Sequence, residues 1–177
     1  MEAKTKNIIL ISTMVVLLML ASPSYAAIET LIKKFEENNI PALKAYDDGS
    51  GTYTIGFGST YHFDLGRPVQ YGDTITSEQA YRYMRREIEN VVNDIHSFVI
   101  VPLTQNQLSA LASLGYNIGT DALKDSTLIR LLNKGSDLQT VASHFTDWVK
   151  SRNSWGLLVY NQGLYNRRVL EQQLFLS

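Results

Sequence analysis

The sequence predicts an α+β fold, with a small β-hairpin lobe and a larger helical lobe. Three observations carry this. The apolar period changes from helical to two within residues 28–58, Gly-rich and Pro-containing turns crowd the stretch up to residue 73, and the rest of the chain is a series of helical segments with start and stop signals. The 177 residues suffice for one domain with a sizeable core.

Residues 1–26 differ in character from the rest of the chain. Lys4 and Lys6, the apolar run from Ile8 to Ala21, and Ser22-Pro23-Ser24-Tyr25-Ala26 form the three parts of a secretory signal, with cleavage expected after Ala26. The run is shorter than the roughly 20 residues a spanning helix needs. A membrane anchor retained for a time is the other reading; Pro23 and the small residues Ser24 and Ala26 favour removal. Residues 27–177 would then be one domain, exported to the periplasm or beyond, with no stable membrane span after processing.

That mature chain holds 14 basic and 16 acidic residues. A near-neutral balance argues against a nucleic acid partner. There is no cysteine, which excludes disulfides and thiol catalysis, and His62, His96 and His144 lack ligand spacing, so no metal is expected.

In the first helix Ile28, Leu31, Ile32 and Phe35 recur at helical spacing, and Asn38-Asn39 with Pro41 stops it, leaving Glu36 and Glu37 at its C-terminal end. At about 100° per residue Glu36 lies at the rim of the apolar stripe and Glu37 points nearly opposite. Partial desolvation and the negative end of the helix dipole would both raise the Glu36 pKa towards that of a general acid. An ordinary surface charge is the plainer reading of either Glu. Next, Leu43 and Ala45, the cluster Tyr46-Asp47-Asp48-Gly49-Ser50-Gly51 and Thr52-Tyr53-Thr54-Ile55 read as strand, turn and strand. A helix end thus delivers a carboxyl beside a hairpin carrying two more, which suits glycosidic bond hydrolysis.

Thr60 to Thr76 reads as loop at the rim of the β lobe. Thr76 with Gln79 is a capping box, opening a long helix with Ala80, Met84, Ile88, Val91 and Ile95 on one face, which would bridge the lobes. Thr104 with Gln107 opens a buried helix through Leu108, Leu111, Ala112 and Leu114, ending near Asn117-Ile118-Gly119. Ser126 starts a short helix that Lys134-Gly135 ends. Ser136 with Gln139 is read as capping the next, with Leu138, Val141, Ala142, Phe145 and Val149 inward. The last helix runs from about Gly163 to Phe175, and Arg167, Arg168 and Glu171 read as a solvated face with helical ion pairs.

Leu31-Ile32-Lys33-Lys34-Phe35-Glu36, then Ala45-Tyr46-Asp47-Asp48, then Gly51 and Thr54-Ile55-Gly56-Phe57-Gly58 resemble the catalytic segment of the phage-type lysozymes, the endolysin muramidases of glycoside hydrolase family 24. Leu103-Thr104-Gln105-Asn106-Gln107, Tyr116-Asn117-Ile118-Gly119, Ser126-Thr127-Leu128 and Gly163-Leu164-Tyr165-Asn166-Arg167-Arg168 with Glu171 extend the resemblance to about residue 175. It implies a lysozyme-like fold with a cleft between the lobes and a cofactor-free enzyme. The expected reaction is hydrolysis of the β-1,4 bond between N-acetylmuramic acid and N-acetylglucosamine in bacterial peptidoglycan, leading to wall degradation and lysis. Carried over, the general acid would be Glu36, the second carboxylate Asp48, and the hydroxyl that helps hold the attacking water Thr54. Asn117 would bind sugar at the cleft; a helix C-cap is its other reading. Trp148, Trp155 and Tyr160 could stack on sugars or simply pack.

The chain departs from the family pattern twice. The family usually places the Glu about nine residues before the Asp, so the spacing from Glu36 to Asp48 requires an insertion of about three residues, placed in Glu37–Pro41; Glu37 is the alternative acid. Ser59 stands where the family more often has a His, a change expected to affect packing more than chemistry. The rival functions are a non-catalytic wall-binding module on the same scaffold and a lytic transglycosylase. Asp48 and Thr54 speak against the second. A monomer is the default for an enzyme that must enter a polymer mesh.

Overall fold

The computed structural model describes residues 25–35, 40–49, 51–153 and 155–177. Helix α1 (Tyr25–Phe35) leads into a hairpin of β1 (Ala42–Asp47) and β2 (Tyr53–Gly56), followed by a two-residue ladder of β3 (Tyr61–His62) and β4 (Arg67–Pro68). Helix α2 (Ser77–Phe98) then crosses to the helical lobe of α3 (Gln105–Ile118), α4 (Thr120–Lys124), α5 (Thr127–Asn133) and α6 (Leu138–Ser143). A 3-10 turn (His144–Asp147), a second hairpin of β5 (Lys150–Arg152) and β6 (Leu158–Tyr160), and α7 (Gln162–Phe175) complete it. Among these residues no helix is long and apolar enough to cross a membrane.

Local chemistry sets most boundaries. The Thr76 hydroxyl accepts from Gln79 N at 3.1 Å while Gln79 Oε1 accepts from Thr76 N at 2.7 Å, so the first turn of α2 is closed in both directions. Thr104 and Gln107 repeat the device on α3. Ser126 caps α5 by accepting from Ile129 N. The five apolar residues expected on one face of α2 are all buried, and α1 contributes Ile28 and Ile32 to the same core.

The β lobe is bolted to α2. β1 and β2 pair antiparallel with Tyr46 opposite Thr54, and a register irregularity lies between Ala42 and Tyr46. Gly56, at φ +69°, ends β2 where an added Cβ would stand 3.4 Å from both Ala80 Cβ and Ile75 Cδ1. Only glycine holds that conformation without strain while letting the strand end approach α2 so closely.

Four sequence expectations are corrected. The stretch from Thr60 to Thr76 is not all loop, since Tyr61–His62 pairs with Arg67–Pro68. Helix α6 is capped by Asp137, which accepts from Thr140 N, rather than by Ser136; a carboxylate next to the helix start is the stronger acceptor. Leu138 is consequently exposed, and only Val141, Ala142 and Phe145 of the expected inward set are fully buried. Arg167, Arg168 and Glu171 are not a solvated face: they are at most 4% exposed and sit between α7 and α3.

Candidate active site

A cavity of about 490 Å³ opens between the lobes. The β lobe contributes Asp48, Thr54, Gly58 and Thr60; α2 contributes Glu87, Asn90, Val91 and Asp94; the end of α3 and the start of α4 contribute Gly115, Tyr116, Asn117, Gly119 and Thr120. Three of the four residues expected in the site, Asp48, Thr54 and Asn117, therefore line one cleft. The fourth, Glu36, lies outside the described residues, as does Glu37; Phe35, the last described residue of α1, is the chain neighbour of Glu36.

The hairpin turn divides its two acids between two tasks. Asp47 Oδ1 accepts from Gly49 N at 2.8 Å and Gly51 N at 3.0 Å, so this carboxylate builds the turn. The Asp48 backbone closes the loop by donating to Thr52 O at 3.1 Å, and its side chain is exposed on the cleft. Across the hairpin, the Thr54 side chain is buried, and its hydroxyl oxygen has no hydrogen-bond partner among the described residues. A buried hydroxyl without a protein partner is costly unless something else fills its coordination, and in a cleft wall water or substrate is available to do so.

Glu87 escaped the sequence reading. It sits half-buried in the cleft floor, accepting from Ser59 Oγ at 2.6 Å and in contact with Tyr116 Oη at 3.1 Å. Tyr116 Oη also donates to Phe57 O at 2.8 Å. Ser59, standing where the family more often has a His, is thus a buried hydroxyl that ties the β lobe to α2. Pairing of this kind is invisible in a linear sequence, since Ser59 and Glu87 are 28 positions apart.

Behind the cleft wall lies the buried ionic cluster. Glu171 Oε1 accepts from Ser113 Oγ (2.6 Å), Arg168 Nη2 (2.9 Å) and Arg167 Nε (3.1 Å), and Arg168 Nε lies 2.7 Å from Glu171 Oε2. Arg168 Nη1 donates to Asn117 Oδ1 at 3.0 Å. Burial pushes the Arg168 pKa down to about 10, against the pull of Glu171, so the guanidinium stays charged at neutral pH. The helix end at Asn117 is closed by Gly119, whose N–H donates to Gly115 O, so backbone supplies the C-cap and Asn117's side chain is left for Arg168 and the cleft.

The family model described as Phage lysozyme matches residues 33–171. The chain belongs to the phage lysozyme family. This phage lysozyme family chain is 38% identical over 147 residues to an endolysin of Acyrthosiphon pisum secondary endosymbiont phage 1, covering 83% of this chain and 93% of the relative. An endolysin of Bacillus phage B103 is 40% identical over 147 residues, 83% of this chain, which spans about half (51%) of that relative's length. The solved endolysin from Escherichia coli O157:H7 phage FAHEc1 superposes with a TM-score of 0.74 at 36% identity, over 88% of this chain and 94% of that one. The lysozyme-like α+β fold expected from the sequence is thereby established.

Proposed function

We propose that this chain is an endolysin that hydrolyses the β-1,4 bond between N-acetylmuramic acid and N-acetylglucosamine in bacterial peptidoglycan. The observation that carries the reading is the convergence of Asp48, Thr54 and Asn117 on one inter-lobe cleft, with the Thr54 hydroxyl lacking a protein partner there among the described residues. Glu36 serves as general acid, donating a proton to the bridge oxygen as the glycosidic bond breaks. Asp48 stabilises the positive charge that builds at the anomeric carbon, and with Thr54 orients the water that attacks there. No cofactor takes part. The chain acts as a monomer after export directed by residues 1–26, with the catalytic domain in residues 27–177.

The test is release of reducing ends from purified peptidoglycan by the parent protein, Glu36→Gln and Glu37→Gln, each checked for folding by circular dichroism. Loss of activity in Glu36→Gln alone is the expected result. Loss only in Glu37→Gln moves the acid by one position, and a folded parent that releases nothing overturns the enzymatic reading. Products ending in anhydro sugars would identify a transglycosylase instead.

A further inference from the structure

Asn117 is exposed in the cleft wall, and its carboxamide could in principle present either end to a ligand. Carbonyl oxygen and amide nitrogen are nearly isosteric, so a free Asn turns over by rotation about χ2 and serves donors and acceptors alike. Asn117 is not free to do so. Its neighbour at 3.0 Å is Arg168 Nη1, and a guanidinium has five N–H donors and no acceptor. The amide oxygen must therefore face Arg168, and Nδ2, with its two N–H bonds, is left over; it makes no protein hydrogen bond among the described residues.

Arg168 cannot relax this constraint by moving. Its side chain is completely buried, Nη2 donates to Glu171 Oε1, and Nε lies 2.7 Å from Glu171 Oε2 without a hydrogen bond among the described residues. Glu171 is in turn held by Ser113 from α3 and Arg167 from α7. The guanidinium is planar and rigid, so holding its Nη2–Nε edge against the Glu171 carboxylate aims Nη1.

We propose that Arg168 is a positioning residue that makes Asn117 an obligate hydrogen-bond donor to substrate, and that Asn117 reads the carbonyl oxygen of an acetamido group on the glycan. The inference deepens the proposed function and rests on it. An acetamido carbonyl is the strongest neutral acceptor on a peptidoglycan sugar, and a site that offers only N–H bonds discriminates against a sugar lacking it, because the donors are then left unpaired.

The experiment is steady-state kinetics of the whole protein on two substrates, intact peptidoglycan and the same material chemically N-deacetylated, with Asn117→Ala, Asn117→Asp and Arg168→Lys beside the parent. On intact peptidoglycan KM should rise roughly tenfold in Asn117→Ala, with kcat held within about twofold. Asn117→Asp keeps the shape and the contact to Arg168 but turns an acceptor towards the cleft, so its KM should rise at least as far. Arg168→Lys should move KM in the same direction while thermal unfolding shows a folded protein. Should that variant not fold, the two Asn117 variants, which leave the buried cluster in place, decide the matter. N-deacetylation should raise the parent's KM by a factor similar to that of Asn117→Ala, and the two changes together should do little more than either alone. Parental kinetics in Asn117→Asp, or a fully multiplicative effect of deacetylation and Asn117→Ala, would overturn the inference while leaving hydrolysis intact. A folded parent that hydrolyses neither substrate overturns the functional reading and this inference together.

Discussion

Ser113 on α3 donates a 2.6 Å hydrogen bond to Glu171 on α7, and neither residue retains any solvent exposure. Among the described residues, Glu171 is the carboxylate that faces both Arg167 and Arg168 in this cluster. Glu171→Gln keeps the shape and removes the charge, leaving Arg167 and Arg168 without that counterion in an interior position. Breaking a buried pair on one side costs about 3–5 kcal/mol. Urea unfolding of Glu171→Gln should show a loss of that size, and Ser113→Ala a smaller one of about 1–2 kcal/mol.

Thr54 separates stability from function. Its hydroxyl is buried without a partner among the described residues, so removing it forfeits no hydrogen bond to any of them. Thr54→Val should therefore be as stable as the parent to within about 1 kcal/mol, or slightly more stable. Peptidoglycan hydrolysis should nevertheless fall by on the order of 100-fold, the usual consequence of losing one polar group at a developing charge. Thermal unfolding and a turbidity assay run on one preparation check both halves.

At Gly115 two effects compete. Alanine in a helix interior gains about 1 kcal/mol over glycine. The new Cβ, however, would stand 3.1 Å from Leu123 Cδ2 and 3.2 Å from Val91 Cγ1, and overpacking of that kind costs about 1–3 kcal/mol. Overpacking should win, giving Gly115→Ala a net loss of about 1 kcal/mol in denaturant unfolding. Because Gly115 and Val91 both line the cleft, KM should rise as well.

The β lobe should be acid-sensitive through Asp73. The Arg67 guanidinium grips this carboxylate at 2.8 Å on both oxygens, and Gln70 N donates to it as well, which together hold its pKa well below the usual carboxylate range. The folded pKa lies below the unfolded one, so the stabilisation is complete above roughly pH 5 and is lost as the pH falls towards the folded value. Asp73→Asn should melt below the parent at pH 7, and the two melting temperatures should draw together as the pH falls towards about 2. A gap that stayed constant over that range would exclude the ion pair as its cause.

Most signals confined to four consecutive residues were legible in the sequence, the cap read at Ser136 instead of Asp137 being the exception. The boxes at Thr76 and Thr104 and the cap at Ser126 stand where expected, because the groups that satisfy one another are chain neighbours. The buried cluster was not legible. Arg167, Arg168 and Glu171 have the spacing of surface ion pairs, and only the packing of α3 on α7 decides that they face inward. A trace of it was present in Ser113, a fully buried hydroxyl within the apolar run of residues 110–114 of α3 that needed polar company. Hairpin β5–β6 was missed for a different reason: Leu157, Leu158, Val159 and Tyr160 are all exposed, so no alternation of inward and outward residues marks it.

The order of the elements along the chain has a consequence for when the protein becomes competent. Asn117 is translated some fifty residues before Arg168, the side chain that orients it. A nascent chain that has emerged only through β6 holds every described residue that lines the cleft but lacks the helix that fixes this wall. Discrimination among sugars should therefore appear abruptly, when α7 docks, and truncated products of interrupted synthesis should lack it even where the hairpin bearing Asp48 and Thr54 has formed.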